Sequence, residues 1–87
     1  MFKGKTLLIT GGTGSFGSNV LRRVINTDIK EIRIFSRDEK KQDDMRKRYY
    51  NDKIKFIIGD VRSFNSINAA MKGVDYVFCA AALKQVP

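Results

Sequence analysis

Three glycines stand three residues apart in the segment Thr10-Gly11-Gly12-Thr13-Gly14-Ser15-Phe16-Gly17. A glycine at the first position permits a sharp turn, and one at the second lets backbone approach a ligand closely. One at the third lets a following helix pack tightly on a sheet. Where such a turn joins a strand to a helix, unpaired N–H groups and the positive end of the helix dipole meet, and phosphate binds there. The pattern therefore points to the pyrophosphate of a dinucleotide. Its candidate binding residues are Gly11, Thr13, Gly14, Ser15, Phe16 and Gly17.

A second group of polar residues, Ser36-Arg37-Asp38-Glu39-Lys40-Lys41, follows the apolar run Glu31 to Phe35. An acid at the end of a second strand would bind the adenosine ribose diol of NAD. Position 36 is instead serine, followed by arginine and, further on, two lysines. Ser36 can donate to a 2′-phosphate, Arg37 can stack on or pair with it, and the next helix turn offers backbone donors. NADP is therefore expected over NAD. Asp38 leaves an alternative open, because it can engage a ribose or cap the helix that follows. Gly59-Asp60-Val61 follows a third apolar run: Asp60 can accept from an adenine amino group while Val61 packs along the ring, or the segment is an ordinary strand-ending turn. After the fourth run, Ala80-Ala81-Ala82 leaves room for ribose and nicotinamide, although alanine runs are also common in cores. Lys84 is an isolated cation beyond it, able to reach a phosphate, a ribose hydroxyl or a substrate, and equally well placed to be solvated. Cys79 reads as a small buried residue at a strand end.

The elements that must position these loops are legible from periodicity. Four short β-branched or aromatic runs, Thr6 to Thr10, Glu31 to Phe35, Lys55 to Ile58 and Tyr76 to Ala80, read as strands. Between the first two, Phe16, Val20 and Val24 with Leu21 and Ile25 make one apolar helical stripe. Asp38 to Tyr50 reads as a charged helix with Asp43–Lys47 and Asp44–Arg48 pairs and a thin seam of Met45 and Tyr49. A third helix starts near Ser63–Asn65, buries Ile67 and Met71 and ends at Gly73. The alternation predicts an α/β, Rossmann-like three-layer fold with a parallel sheet of order 3-2-1-4 and right-handed crossovers. Ligands in such sheets bind outside the carboxyl ends of the strands, where the strand order reverses. Tyr49 and Lys53 have the Tyr-x-x-x-Lys spacing of short-chain dehydrogenases, but they precede the third strand, far from a nicotinamide, so no catalytic role is assigned to them.

With 87 residues, the chain buries only roughly 60–65% of its unfolded surface. It is expected to be the N-terminal portion of a single dinucleotide-binding domain, because a complete one needs two βαβαβ halves. A fourth strand left as an open edge invites self-association, so a homo-oligomer is expected. The net charge of +8 favours anionic partners. Acids interrupt the basic residues, and no aromatic–basic alternation suggests base stacking, so nucleic acid is not the favoured partner. One cysteine excludes an internal disulfide and suits a reducing compartment. The absence of histidine removes His-based metal sites and triads. No apolar run has the length of a signal-peptide core or a membrane span, so a cytoplasmic protein without membrane contact is expected.

Taken together, the chain resembles the extended short-chain dehydrogenase/reductase family, and within it the C5-inverting UDP-N-acetylglucosamine 4,6-dehydratases of bacterial capsule, O-antigen and flagellin-sugar synthesis. The resemblance spans the whole chain. It rests on Ile9 to Gly17, Phe35 to Glu39, Ile58-Gly59-Asp60-Val61-Arg62 and Ala80 to Pro87. It implies a cofactor held by Thr13 to Phe16 at the pyrophosphate, by Ser36 to Lys41 on the 2′-phosphate side, by Asp60 and Val61 at the adenine and by Ala80 near the nicotinamide. Lys84 would touch cofactor and substrate together. Cys79 departs from the family, which usually carries histidine there. The implied chemistry takes hydride from C4 of a UDP-sugar, loses water across C5–C6 and returns hydride at C6. The acid/base residues for it lie outside this chain, so the chain alone is expected to bind and not to catalyse. A 4-epimerase or reductase of the same superfamily, and a non-enzymatic dinucleotide- or nucleic-acid-binding module, are the alternatives.

Overall fold

A computed structural model describes residues 2–11 and 13–79. The elements run β1 (Thr6–Thr10), α1 (Ser15–Val24), β2 (Glu31–Ser36), α2 (Glu39–Tyr49), β3 (Ile54–Ile58), α3 (Phe64–Ala70) and β4 (Tyr76–Cys79). The four strands are all parallel in the order β3-β2-β1-β4. This is the sheet and order that the alternating pattern predicts.

Both faces of the central strands are covered, so β1 is buried at every position, as its unbroken apolar run requires. Side chains alternate across a strand. Leu7, Ile9, Ile32, Ile34 and Ile54 therefore share one face and pack with Leu21, Val24 and Ile25 at α1 and with Met45 of α2. Leu8 and Phe35 point the other way, against Ala70, Ile67 and Val74 in and after α3. The result is three layers, with α1 and α2 on one side of the sheet and α3 on the other.

Several side chains sit differently from their expected places. The buried positions of α1 are Gly17, Leu21 and Val24, while Phe16 is exposed and leans on Phe78, ring centroids 5.5 Å apart. The stripe is rotated toward Gly17 because a glycine lets the helix approach the sheet there. In α3 the buried residue is Ala70, with Ile67 partly buried and Met71 exposed. The helix ends one residue before Met71, which turns that side chain outward before the left-handed Gly73 at φ +77°. Arg33 fastens this end of α3 by donating from Nη1 to the Ala70 and Lys72 carbonyls at 2.8 and 2.6 Å. Cys79 is exposed, on an edge strand most of whose side chains are exposed.

In α2 the Asp43–Lys47 pair forms at 3.1 Å, but Asp44 pairs with Lys40 at 3.5 Å rather than with Arg48. Lys47 donates to Asp43 and lowers its carboxyl below the usual range. The helix starts at the Asp38 carboxylate, which accepts from the Lys41 backbone N–H at 2.9 Å. This satisfies one of the donors that a helix leaves open at its start. Replacing Asp38 with alanine is expected to cost about 1 kcal/mol of stability, read as a lower urea midpoint with unchanged slope. Asp38→Asn should recover most of the loss.

Candidate nucleotide-binding site

The first strand ends in a turn at Gly11, which has a left-handed φ of +68°. Its N–H donates to the Phe35 carbonyl at 2.8 Å and its own carbonyl accepts from Gly14 at 3.2 Å. The turn is thereby tied to the end of β2. Gly14 is the N-cap of α1, and among the described residues no side chain caps this helix. The first-turn N–H groups, which have no carbonyl to receive them inside a helix, are left to an external acceptor. An anion would find both these donors and the positive end of the helix dipole.

The end of β2 and the start of α2 form the facing wall. A hollow of about 600 Å³ is lined by Gly11, Thr13 and Gly14 on one side and by Ser36, Arg37, Asp38, Glu39 and Lys41 on the other. Two loops separated by more than twenty residues in sequence thus converge at the carboxyl ends of β1 and β2. Ser15, Phe16 and Gly17 continue the turn into α1. Lys40 does not face this hollow: it lines a second one, of about 430 Å³, with Asp43, Arg46 and Phe56. Asp38 takes the capping alternative while still lining the wall.

Ser36 is buried, and its Oγ accepts from Gln42 Nε2 at 3.0 Å, which leaves the hydroxyl proton as a donor. Gln42 Nε2 also donates to the Ile57 carbonyl at 2.8 Å, so this residue stitches α2 to β2 and β3. Its burial was invisible in a helix that reads as charged along its length. The signal available was its place three residues before Met45, on the same helical face.

Asp60 and Val61 lie beyond β3, with Val61 exposed. The loop is joined to β2 by the Gly59 N–H, which donates to the Ser36 carbonyl at 3.0 Å. The Asp60 carboxylate accepts from Arg62 Nη2 at 2.8 Å, from Arg62 Nε at 3.2 Å on each oxygen, and from the Arg62 backbone N–H at 2.9 Å. The Arg62 side-chain and backbone bonds, with Arg37 adding attraction, lower the Asp60 carboxyl to about 2. Asp60 in turn raises the Arg62 guanidinium above its usual value. An adenine amino group donating to Asp60 would share a carboxylate that Arg62 already engages. Arg62 is the participant that residue-type reasoning missed; its spacing of two from Asp60 suits a turn in which side chain and backbone bind the same carboxylate.

Tyr49 ends α2, and Lys53 follows in the turn before β3, donating from Nζ to the Thr27 carbonyl at 2.9 Å. The pair shares no helix and stands apart from the hollow. Ala80 and Lys84 lie outside the described residues. Among the described residues, no helix is long and apolar enough to cross a membrane.

Fold and turn together define a Rossmann-like α/β unit whose first strand-to-helix turn is shaped to receive a phosphate. The chain belongs to the polysaccharide biosynthesis protein family, whose model matches residues 7–87. It is 72% identical across its whole length to a UDP-glucose 4-epimerase of Rickettsia bellii, and 68% identical to one of Rickettsia akari. It spans 27% of the length of each of these relatives. Among solved structures, Pen from Bacillus thuringiensis matches with a TM-score of 0.84 at 38% identity, over 88% of this chain and 24% of that one. A putative 3-oxoacyl-reductase from the same organism, at 18% identity and a TM-score of 0.73 over 88% of this chain and 36% of that one, shares the fold.

Proposed function

We propose that residues 1–87 are the NADP-binding N-terminal portion of a single dinucleotide-binding domain in a cytoplasmic nucleotide-sugar enzyme. The reading favoured by the loops around Ser36-Arg37 and Ala82-Leu83-Lys84 is a 4,6-dehydratase acting on UDP-N-acetylglucosamine in polysaccharide biosynthesis. The observation that carries the cofactor assignment is the convergence of an uncapped helix start and the Arg37 loop on one hollow. Thr13 to Phe16 hold the pyrophosphate there, Ser36 and Arg37 receive the 2′-phosphate, and Asp60 and Val61 border the adenine. Ala80 and Lys84 are assigned to the nicotinamide end, Lys84 also to the sugar nucleotide. When bound, NADP supplies a hydride acceptor for C4 of the sugar.

The acid/base groups are assigned to the remainder of a protein of which this chain spans 27% in its curated relatives. The exposed side of β4 is assigned to further strands of the same domain or to a second copy. A second reading, a 4-epimerase, is favoured by the names of the Rickettsia relatives. The test is mass spectrometry of products formed by the full-length protein from UDP-N-acetylglucosamine and from UDP-glucose. A product lighter by one water from the first substrate is expected. An isomer of unchanged mass, confirmed by sugar analysis, would select the epimerase, and no change in either substrate would sink both readings.

A further inference from the structure

Arg37 shares the candidate 2′-phosphate wall with Lys41, and its side chain is 69% exposed. A long exposed side chain explores many rotamers, so something must keep its head near the hollow if it is to discriminate between nucleotides. One neighbour does so. Arg37 Nη1 stands 3.6 Å from Asp60 Oδ2, an ion pair too long to be a hydrogen bond. Among the described residues, no hydrogen bond engages the Arg37 guanidinium, whose donors can turn to an incoming phosphate.

Asp60 can hold Arg37 because it is itself held. Arg62 grips both its oxygens with the side-chain fork and Oδ1 with its backbone N–H. Paired N–H groups of this kind fix a carboxylate in orientation as well as in place. The Gly59–Ser36 backbone bond ties the same loop to the base of the Arg37 loop. The order of constraint runs from Arg62 to Asp60 to Arg37.

We propose that Arg62 is a positioning residue that, through Asp60, orients Arg37 and so sets the preference for a nucleotide bearing a 2′-phosphate. This rests on the NADP reading given above, and the experiment separates the two. NADPH and NADH affinities are measured by calorimetry on the full-length protein and on Arg62→Ala, Arg62→Lys, Arg37→Ala and the Arg37→Ala/Arg62→Ala double variant. Arg62→Ala should reduce the NADPH-over-NADH preference about three- to fivefold, the scale of an exposed ion pair, with NADH affinity little changed. Arg62→Lys keeps the charge and loses the fork, so it should not restore the preference in full. In the Arg37→Ala background, removing Arg62 should leave the ratio unchanged.

A merely structural role would weaken both nucleotides alike. A merely electrostatic one would be rescued by lysine and would persist without Arg37. Either result overturns the inference, as does an unchanged preference in Arg62→Ala, while the NADP reading stands if Arg37→Ala still loses selectivity. If the unsubstituted protein binds NADH as tightly as NADPH, or binds neither, the cofactor reading and the inference fall together.

Discussion

Phe35→Ala is expected to destabilise the fold by about 3–5 kcal/mol, the usual range for emptying a fully buried aromatic site. Phe35 is 0% exposed and lies on the α3 face of the sheet beside Leu8 and Ala70. Its ring also shapes the next loop. A Cβ at Gly59 would stand 2.7 Å from Phe35 Cε2 and Cζ and 3.3 Å from Ser66 Cβ. The ring has nowhere to retreat, so Gly59→Ala should cost about 1–3 kcal/mol by overpacking. Against a total stability of about 5–15 kcal/mol for a domain, either loss is large. The two effects should not add, because they share one contact. In a Phe35→Leu background, the smaller side chain frees the space that the new methyl needs, and the penalty of Gly59→Ala should shrink. Urea denaturation of the four variants measures this directly. A Gly59→Ala penalty of the same size in both backgrounds would show that the ring is not what requires glycine.

The same contact illustrates what could and could not be read from the residues. Strand order and layering were legible because each strand is a short run rich in β-branched or aromatic residues and each crossover carries an amphipathic or charged helix. Those periods leave few alternatives for a parallel sheet. The phosphate-binding turn was legible for a related reason: its glycines fall at a strand-to-helix junction, where backbone geometry rather than side-chain identity makes the site. The need for glycine at position 59 was not, because it depends on a ring twenty-four positions earlier in the sequence. Gln42 was hidden by its polarity. A buried amide looks like a surface residue until its partners, Ser36 and the Ile57 carbonyl, are known. Phe16, Met71 and Cys79 were expected to be buried by residue type. Their exposure follows from a helix rotated onto Gly17, a helix that ends at Ala70 and a strand at the sheet edge. The grip of Arg62 on Asp60 required knowing that the chain turns back after β3, which a two-residue spacing suggests only weakly.

Arg37→Ala is expected to weaken NADPH binding by roughly 1.5–3 kcal/mol if Arg37 makes a charge-assisted hydrogen bond to the 2′-phosphate, which is about 10- to 150-fold in Kd. NADH lacks that phosphate, so its affinity should hardly move. The difference between the two nucleotides, and not the loss alone, identifies the contact. The substitution should also spare the fold. Arg37 is exposed and its pairing with Asp60, at 3.6 Å, lies at the protein surface, where such pairs contribute about 0–1 kcal/mol. Asp60 keeps its bonds to Arg62 when Arg37 is removed, so no charge is left buried and unpaired. Rising salt should weaken NADPH more than NADH in the unsubstituted protein, because the added contact is between exposed charges. This excess sensitivity should largely disappear in the variant. Arg37→Lys gives a finer reading: a point charge keeps part of the attraction and loses the planar fork, so its NADPH affinity should fall between the two. An equal loss of NADPH and NADH affinity in Arg37→Ala would mean that the side chain supports the adenosine as a whole, and the 2′-phosphate would then need another partner among Ser36, Lys41 and the first turn of α2.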